Sequence, residues 1–141
     1  MKKVLLVAII VIVAVACNKN QSAVRKLDGT WKATSFATTD STGTTVDLIG
    51  FVDVTFVFDG CKLKKDEYCN ITTTTITNAF GFTSSTTEND LYRVIDDGTT
   101  LEIKADSTTS TMTIVELTRS SLKVKQVDGN QTTNIVATKT S

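Results

Sequence analysis

Short apolar stretches alternate with turn-forming residues along most of this 141-residue chain, and this pattern constrains the fold more than any other feature. From Thr30 onward, Asp-Gly pairs or Ser- and Thr-rich segments interrupt the apolar stretches at short intervals. Such spacing is typical of an antiparallel meander and leaves no room for helices between the strands. The chain has no Pro, and its many Thr residues are β-branched side chains that suit the exposed face of a sheet. We therefore predict an all-β fold, an antiparallel up-and-down meander of eight to ten strands.

Three Asp-Gly pairs are candidate turns of two-residue hairpins, at 59–60, 97–98 and 128–129. With a turn at 97–98, apolar residues face each other on one side of the hairpin, and Arg93 falls opposite Glu102 on the other side. With a turn at 128–129, Leu122 faces Ile135. The apolar faces align in both hairpins, which supports the strand assignment.

A looser connection at 118–121 separates two further predicted strands. Pairing of Leu117 with Leu122 across this connection puts Val115 opposite Val124, and it also brings two opposite charges together. We use these pairs as evidence of register, because an exposed ion pair adds only a few tenths of a kcal/mol.

The first seventeen residues have the layout of an export signal. Two Lys precede an unbroken apolar run, Val4 to Ala16, and Cys17 follows it. This run is shorter than the roughly 20 apolar residues that a spanning helix needs. A Cys at the cleavage point resembles the lipobox of bacterial lipoproteins, which implies that Cys17 is acylated and anchors the chain in the cell envelope, with the outer membrane as the expected destination. An ordinary secretory signal with an incidental Cys is the alternative.

This signal divides the chain into a signal peptide at residues 1–16, a lipidated tether at 17–26 and one β-domain at 27–141. Removal of the signal leaves 125 residues and takes away both N-terminal Lys, so that 15 acidic residues stand against 13 basic ones. The resulting net charge of −2, without a basic stripe, argues against a nucleic-acid partner.

The composition also argues against an enzyme. The chain has no His, the commonest general base and metal ligand, so a Ser or Cys nucleophile would have no evident base. The acidic residues Glu88, Asp90, Asp96 and Asp97 cluster in sequence, but their spacing does not match an EF-hand calcium loop. We interpret them as a solvated, turn-forming rim, and we predict no catalytic residue, no metal and no cofactor.

The two remaining Cys are expected to form a disulfide, because the N-terminal Cys is assigned to the lipid and an envelope compartment is oxidising. A turn at 59–60 sets Phe58 against Cys61, and a second turn near 64–66 then places Cys61 opposite Cys69. Opposed Cβ atoms on adjacent strands are close enough for a disulfide. Two free buried thiols are the alternative.

Residues 27–31, Leu-Asp-Gly-Thr-Trp, resemble the Gly-x-Trp opening of lipocalin-type barrels. The stretches 101–104, 114–118 and 122–125 look like strands of small lipocalin-like lipoproteins of the Bacteroides group. The resemblance implies a small lipocalin-like barrel in which Trp31 plugs one end, with Arg119 as a candidate for the basic residue that lies over the Trp. An ordinary core aromatic is the alternative role for Trp31.

Closure into a barrel is also favoured on physical grounds, because it removes the exposed edges of a Thr-rich sheet. The competing fold is an open β-sandwich. One pairing separates the two, because only a barrel joins the strand after Trp31 to residues 135–137. Five aromatic side chains could fill the interior of a small barrel: Phe51, Phe56, Phe58, Phe80 and Phe82.

Three functions are compatible with these observations. The first is a lipid-anchored, lipocalin-like module that binds a small apolar or amphipathic ligand inside the barrel. The second is a non-catalytic structural or protein-interaction lipoprotein whose barrel is packed solid and whose loops make the contacts. The third is a small hydrolase that works through carboxylates. The volume of the interior discriminates between the first and the second.

Overall fold

The structure, a computed structural model, describes residues 19–61 and 67–141. In this part of the chain, a helical segment at residues 19–27 precedes nine strands. The strands are β1 (Gly29–Thr39), β2 (Thr45–Asp47), β3 (Val52–Phe58), β4 (Cys69–Ala79), β5 (Phe82–Ile95), β6 (Thr100–Ala105), β7 (Thr108–Leu117), β8 (Ser121–Asp128) and β9 (Gln131–Lys139).

Eight of these strands close into an antiparallel barrel. The order is β1-β3-β4-β5-β6-β7-β8-β9, and β9 pairs back onto β1, with Ala33 opposite Ala137 and Phe36 opposite Ile135. The short strand β2 adds to β1 alone. The predicted all-β meander is therefore confirmed, and the sheet is a closed barrel, not an open sandwich.

The apolar core fills one half of the barrel interior. Every second side chain of a strand points inward, so the alternating apolar residues of all eight strands meet there. Leu27, Trp31, Ile71 and Tyr92 are among the side chains that are almost completely buried. Burial of an aliphatic side chain of this size contributes about 1.5–3 kcal/mol, so this half of the barrel carries most of the stability.

The up-and-down topology gives the barrel two distinct ends. We define the helix end as the end where β1 starts; it also holds the turn at 96–99 and the connection 118–120. We define the far end as the opposite one, formed by residues 40–51, 80–81, 106–107 and 129–130. The two ends differ in composition and in packing, as described below.

The helical segment at 19–27 lies largely in the stretch interpreted from sequence as a tether, residues 17–26. Ala23, Val24 and Leu27 are buried against the barrel, because their spacing places all three on one face of a helix. Two hydrogen bonds fasten the segment at its ends. The Gly98 amide donates to Asn20 Oδ1 at 2.6 Å, and the Gly60 amide donates to Asp28 Oδ1 at 3.0 Å. Residues 19–26, interpreted from sequence as a tether, thus belong to the packed body of the protein.

The predicted register of the hairpin at 97–98 is confirmed. Val94 pairs with Leu101, and Arg93 pairs with Glu102. The turn itself spans four residues, 96–99, and the left-handed φ values of both Asp residues and of Gly98 accommodate it.

Two other registers differ from the prediction. Leu122 pairs with Ala137 instead of Ile135, because the two-residue turn is at Gly129-Asn130 and not one residue earlier. A Gly with positive φ at the first turn position is typical of a type II′ hairpin, and Gly129 has a φ of 56°. The two-residue shift keeps the same face inward, so the core is unaffected. Val115 does not face Val124, because a β-bulge displaces it and Ile114 takes its place.

The connection between β3 and β4 also differs from the prediction. Phe58 pairs with Ile71 of β4 and not with Cys61, and Cys61 lies outside the described strands. The predicted turn near 64–66 lies outside the described residues. A two-residue turn at Phe80-Gly81, where both residues have positive φ, joins β4 to β5.

Candidate functional site

The predicted site residues fall into two groups. Cys17, the predicted lipidation site, lies outside the described residues. Trp31 and the pair Cys61 and Cys69 lie at the helix end. The far end carries the exposed aromatic side chains.

Trp31 lies in the barrel interior beside the helical segment. Its side chain is fully buried, and its ring Nε1 donates a hydrogen bond of 2.6 Å to the carbonyl oxygen of Leu27. This bond ties the first strand to the last turn of the helical segment. This position fits a side chain that closes one end of the barrel.

Lys139, and not Arg119, is the basic residue over the Trp31 ring. Its Nζ lies 5.4 Å from the ring centroid and also donates to the carbonyl oxygen of Lys26 at 3.0 Å. Lys139 pairs directly with Trp31 across β1 and β9, whereas Arg119 is exposed in the connection between β7 and β8. The sequence signal for Lys139 was its place in the last strand, which becomes adjacent to Trp31 only when the barrel closes.

The predicted disulfide between Cys61 and Cys69 is present, with the two Cα atoms 5.5 Å apart. Cys69 starts β4, whereas Cys61 lies in the connection after β3 and not in a paired strand. The disulfide therefore joins Cys61 to the first residue of β4.

Beside this disulfide, Tyr68 covers a buried ion pair on the outer wall of the barrel. Arg93 Nε contacts Glu102 Oε1 at 2.7 Å, and the Tyr68 hydroxyl donates to the same oxygen. The Arg93 guanidinium also lies 4.8 Å from the centre of the Tyr68 ring. Glu102 is only 8% exposed, an unusual burial for a carboxylate.

The protonation of this cluster follows from its hydrogen bonds. The bonds from the Tyr68 hydroxyl and from Arg93 hold the pKa of Glu102 below its usual range. The same bond to the carboxylate raises the pKa of Tyr68. Both shifts favour an ionised Glu102 beside a neutral tyrosine at neutral pH. The cluster thus holds Tyr68, the residue before Cys69, against the outer wall of the barrel. Sequence reasoning identified only its Arg93–Glu102 pair.

A small apolar cavity lies in the barrel interior. Its volume is about 30 Å³, and it is lined by apolar side chains of β3 to β9: Phe56, Phe58, Ile71, Leu101, Ile103, Met112, Leu122, Val124 and Ile135. Pockets that hold drug-sized ligands measure about 300–1,000 Å³. The cavity has room for about one water molecule, so the apolar half of the barrel is close to fully packed.

Three of the five Phe residues that could have filled the barrel lie outside it. Phe80 is fully exposed in the turn between β4 and β5, Phe82 is 80% exposed, and Phe51 is 62% exposed. All three are at the far end, and the amide of Asn78 donates to the carbonyl oxygen of Phe51, which joins their two segments. Large aromatic side chains on a surface are a sign of an interaction site when they are grouped.

The four acidic residues that cluster in sequence are separated in the structure. Asp96 and Asp97 form the turn at the helix end. Glu88 and Asp90 lie on β5, opposite Thr73 and Ile71, and therefore on the strand face that points into the barrel. Among the described residues, no group of three or more Asp, Glu, Cys or His is placed to hold a metal ion.

Comparisons with known proteins add little to this description. No family model matches the chain, and no curated protein matches it. Among solved structures, the chain is similar to a redesigned β-barrel, at 13% sequence identity and a TM-score of 0.44, over 84% of this chain and 95% of that one. Within residues 19–61 and 67–141, no helix is long and apolar enough to cross a membrane.

Proposed function

We propose that this chain is a lipid-anchored lipoprotein of the bacterial cell envelope, with a lipocalin-like barrel that acts as a non-catalytic protein-interaction module. The membrane anchor in this proposal is the acylated Cys17, and the expected location is the outer membrane. The relation to lipocalin-like lipoproteins of the Bacteroides group is part of the proposal. It rests on the Gly-x-Trp opening of β1 and on Lys139, which lies over the Trp31 ring.

The packed apolar half of the barrel interior is the observation that carries the proposal. A barrel that binds a ligand inside needs unfilled space, and the apolar cavity of about 30 Å³ is ten or more times smaller than ordinary ligand pockets. A barrel with so little internal space acts through its outer surface. This favours the interaction hypothesis over a lipocalin that carries a small apolar ligand.

The far end is the surface best suited to this role. It carries the exposed rings of Phe51, Phe80 and Phe82, and its connections contain Asp40, Asp47 and Asp106 but no Lys or Arg. An acidic surface is repelled by anionic lipid, whereas its aromatic side chains are of the kind that anchor protein interfaces. The helical segment, which follows directly on the proposed anchor, packs at the opposite end. The far end would thus point away from the membrane.

Site-specific crosslinking tests this proposal. A photoreactive phenylalanine analogue at position 80 probes the far end, and the same analogue at position 119 probes an exposed site at the helix end. We expect discrete protein adducts from position 80 in the intact envelope and much weaker ones from position 119. In the Cys17→Ser variant, we expect the protein to leave the membrane fraction and the adducts from position 80 to decrease.

A ligand titration tests the competing hypothesis on the same protein. A fluorescent fatty acid is added to the purified protein, and we expect no saturable binding. One-to-one binding that is lost when Ile103→Trp fills the cavity, together with an absence of adducts from position 80, would contradict the interaction proposal and support the ligand-binding one. Phe80→Ser is the matched control, because its side chain does not line the cavity.

A further inference from the structure

One edge of β5 is left without a partner strand. β5 pairs with β4 from Phe82 to Tyr92, but it pairs with β6 only from Leu91 to Ile95. In the described chain, therefore, no strand pairs with the other side of residues 82–90, which we call the β5 edge. A β6 of only six residues produces this gap, because the chain turns back at 106–107.

The β5 edge has the properties of a docking site for an added strand. Every second residue along an unpaired edge directs its amide and carbonyl groups outward. Apart from the half-buried Asp90, the residues of the edge are exposed, and they include no Pro or Lys, which commonly block such edges. The stretch 83–87, Thr-Ser-Ser-Thr-Thr, also has no bulky side chain that would obstruct a second backbone.

Charge and shape along the edge favour a particular kind of strand. Glu88 and Asp90 lie on one face of β5, and Phe82 lies on the same face six residues before Glu88. Neither carboxylate is in an ion pair with any described residue. An added strand would therefore gain from a basic side chain opposite each carboxylate and from an apolar side chain opposite Phe82.

We propose that the β5 edge binds an extended segment of a partner protein by antiparallel strand addition. Antiparallel pairing continues the arrangement of the rest of the barrel. In this register, the segment has basic residues opposite Asp90 and Glu88, two positions apart, and an apolar residue opposite Phe82, six positions further on. This inference rests on the proposed interaction function and adds the chemistry of the partner and the strand that receives it.

A designed peptide tests the inference directly. The probe is Lys-Thr-Lys-Thr-Val-Thr-Val-Thr-Phe with a fluorescent label, and its binding to the purified, membrane-extracted protein is followed by anisotropy at low salt. We expect saturable one-to-one binding. The same peptide with Glu in place of both Lys, or with Pro at its sixth position, opposite Ser85, is expected to bind about tenfold more weakly or worse, because the first loses the charge complement and the second loses a backbone donor.

Protein variants locate the site on β5. Glu88→Gln combined with Asp90→Asn is expected to weaken the peptide about tenfold, and Phe82→Ser is expected to weaken it severalfold. Phe80→Ser is the matched control, because Phe80 is also an exposed aromatic side chain but lies in the turn, beyond the edge. Circular dichroism should show that all variants keep the fold. Addition of a β-strand should also protect amides of residues 82–90 from hydrogen exchange.

Three results would overturn the inference. The first is peptide binding that is unaffected by the Glu88 and Asp90 substitutions, and the second is equal loss from Phe80→Ser and Phe82→Ser. The third is occupation of the edge by a second copy of the chain, seen as a dimer in sedimentation that Phe82→Ser dissociates, or by lipid, seen as binding to phosphatidylcholine vesicles. Adducts from position 80 that persist while the peptide fails to bind would reject this edge and leave the interaction function intact.

Discussion

Replacement of Trp31 is expected to be one of the most destabilising single changes in the barrel. The side chain is fully buried, its Nε1 donates to the Leu27 carbonyl, and Lys139 lies over its ring. Truncation of a buried aromatic side chain to Ala costs about 3–5 kcal/mol, from lost burial and from the cavity that remains. Domains of this size have a total stability of about 5–15 kcal/mol, so Trp31→Ala should remove a large share of it.

Two further variants separate the contributions at this site. Trp31→Phe keeps most of the apolar volume but leaves the Leu27 carbonyl without its donor, which should cost about 1–3 kcal/mol. Lys139→Met removes the cation from the ring face and should cost about 0.5–2 kcal/mol. The matched control is Phe82→Ala, an aromatic truncation at an exposed position, which should change stability by less than about 0.5 kcal/mol.

Urea unfolding of the four variants, followed by far-UV circular dichroism, gives these free energies. Tryptophan fluorescence is unsuitable, because Trp31 is the sole Trp of the chain. Stability of Trp31→Ala within about 1 kcal/mol of the wild type would refute the reasoning, because the cavity and transfer contributions cannot both be that small for a buried indole. An effect of Phe82→Ala as large as that of Trp31→Ala would also refute it.

The remaining predictions concern other parts of the barrel. Replacement of both Cys61 and Cys69 by Ser should lower the free energy of unfolding by roughly 2.5 kcal/mol on the chain-entropy account. Dithiothreitol should lower the urea midpoint of the wild-type protein and leave that of the double Ser variant unchanged. Glu102 has a lowered pKa in the folded state, so its contribution to folding stability is complete above the unfolded pKa of about 4.3. This contribution is lost as the pH falls through the folded pKa. Glu102→Gln should therefore reduce the loss of stability at acid pH. Gly98→Ala should lower stability by about 1–2 kcal/mol or more in thermal unfolding, because the φ of Gly98 is 81° and an added Cβ would lie 3.2 Å from the helical segment. Gly43→Ala is the control and should lower stability less, because Gly43 has a similar φ of 84° but open space around it.

The sequence was sufficient to predict the meander because each hairpin is determined by residues that are close together in the sequence. The register at 97–98 follows from a turn and from alternation within a dozen residues, and the structure agrees with it. Two of the register errors have local causes as well. The Asp-Gly signal at 128–129 was one residue away from the turn that Gly129 and Asn130 form, and the bulge at Val115 adds a residue that alternation alone does not reveal.

The features that depend on distant residues were harder to predict. Lys139 reaches Trp31 because closure brings the last strand beside the first, and Tyr68, the residue before β4, reaches Glu102 of β6 on the outer wall. Neither contact leaves a periodic signal in the sequence. The helical segment is a similar case, because Ala23, Val24 and Leu27 are buried only by contact with the end of the closed barrel.

The exposed Phe residues show how composition can mislead about the interior. Phe80 and Phe82 flank Gly81 and were expected to be able to fill the core, because apolar side chains usually point inward. A two-residue turn at 80–81 instead puts one ring in the turn and the other at the start of the free edge. The inward-facing side chains that β4 and β5 add beyond Ile71 include Thr73, Glu88 and Asp90, so this part of the barrel wall is polar. An apolar tip above a polar inner wall cannot be buried by the barrel itself, and this is why we place the interaction surface there and not in the packed half below.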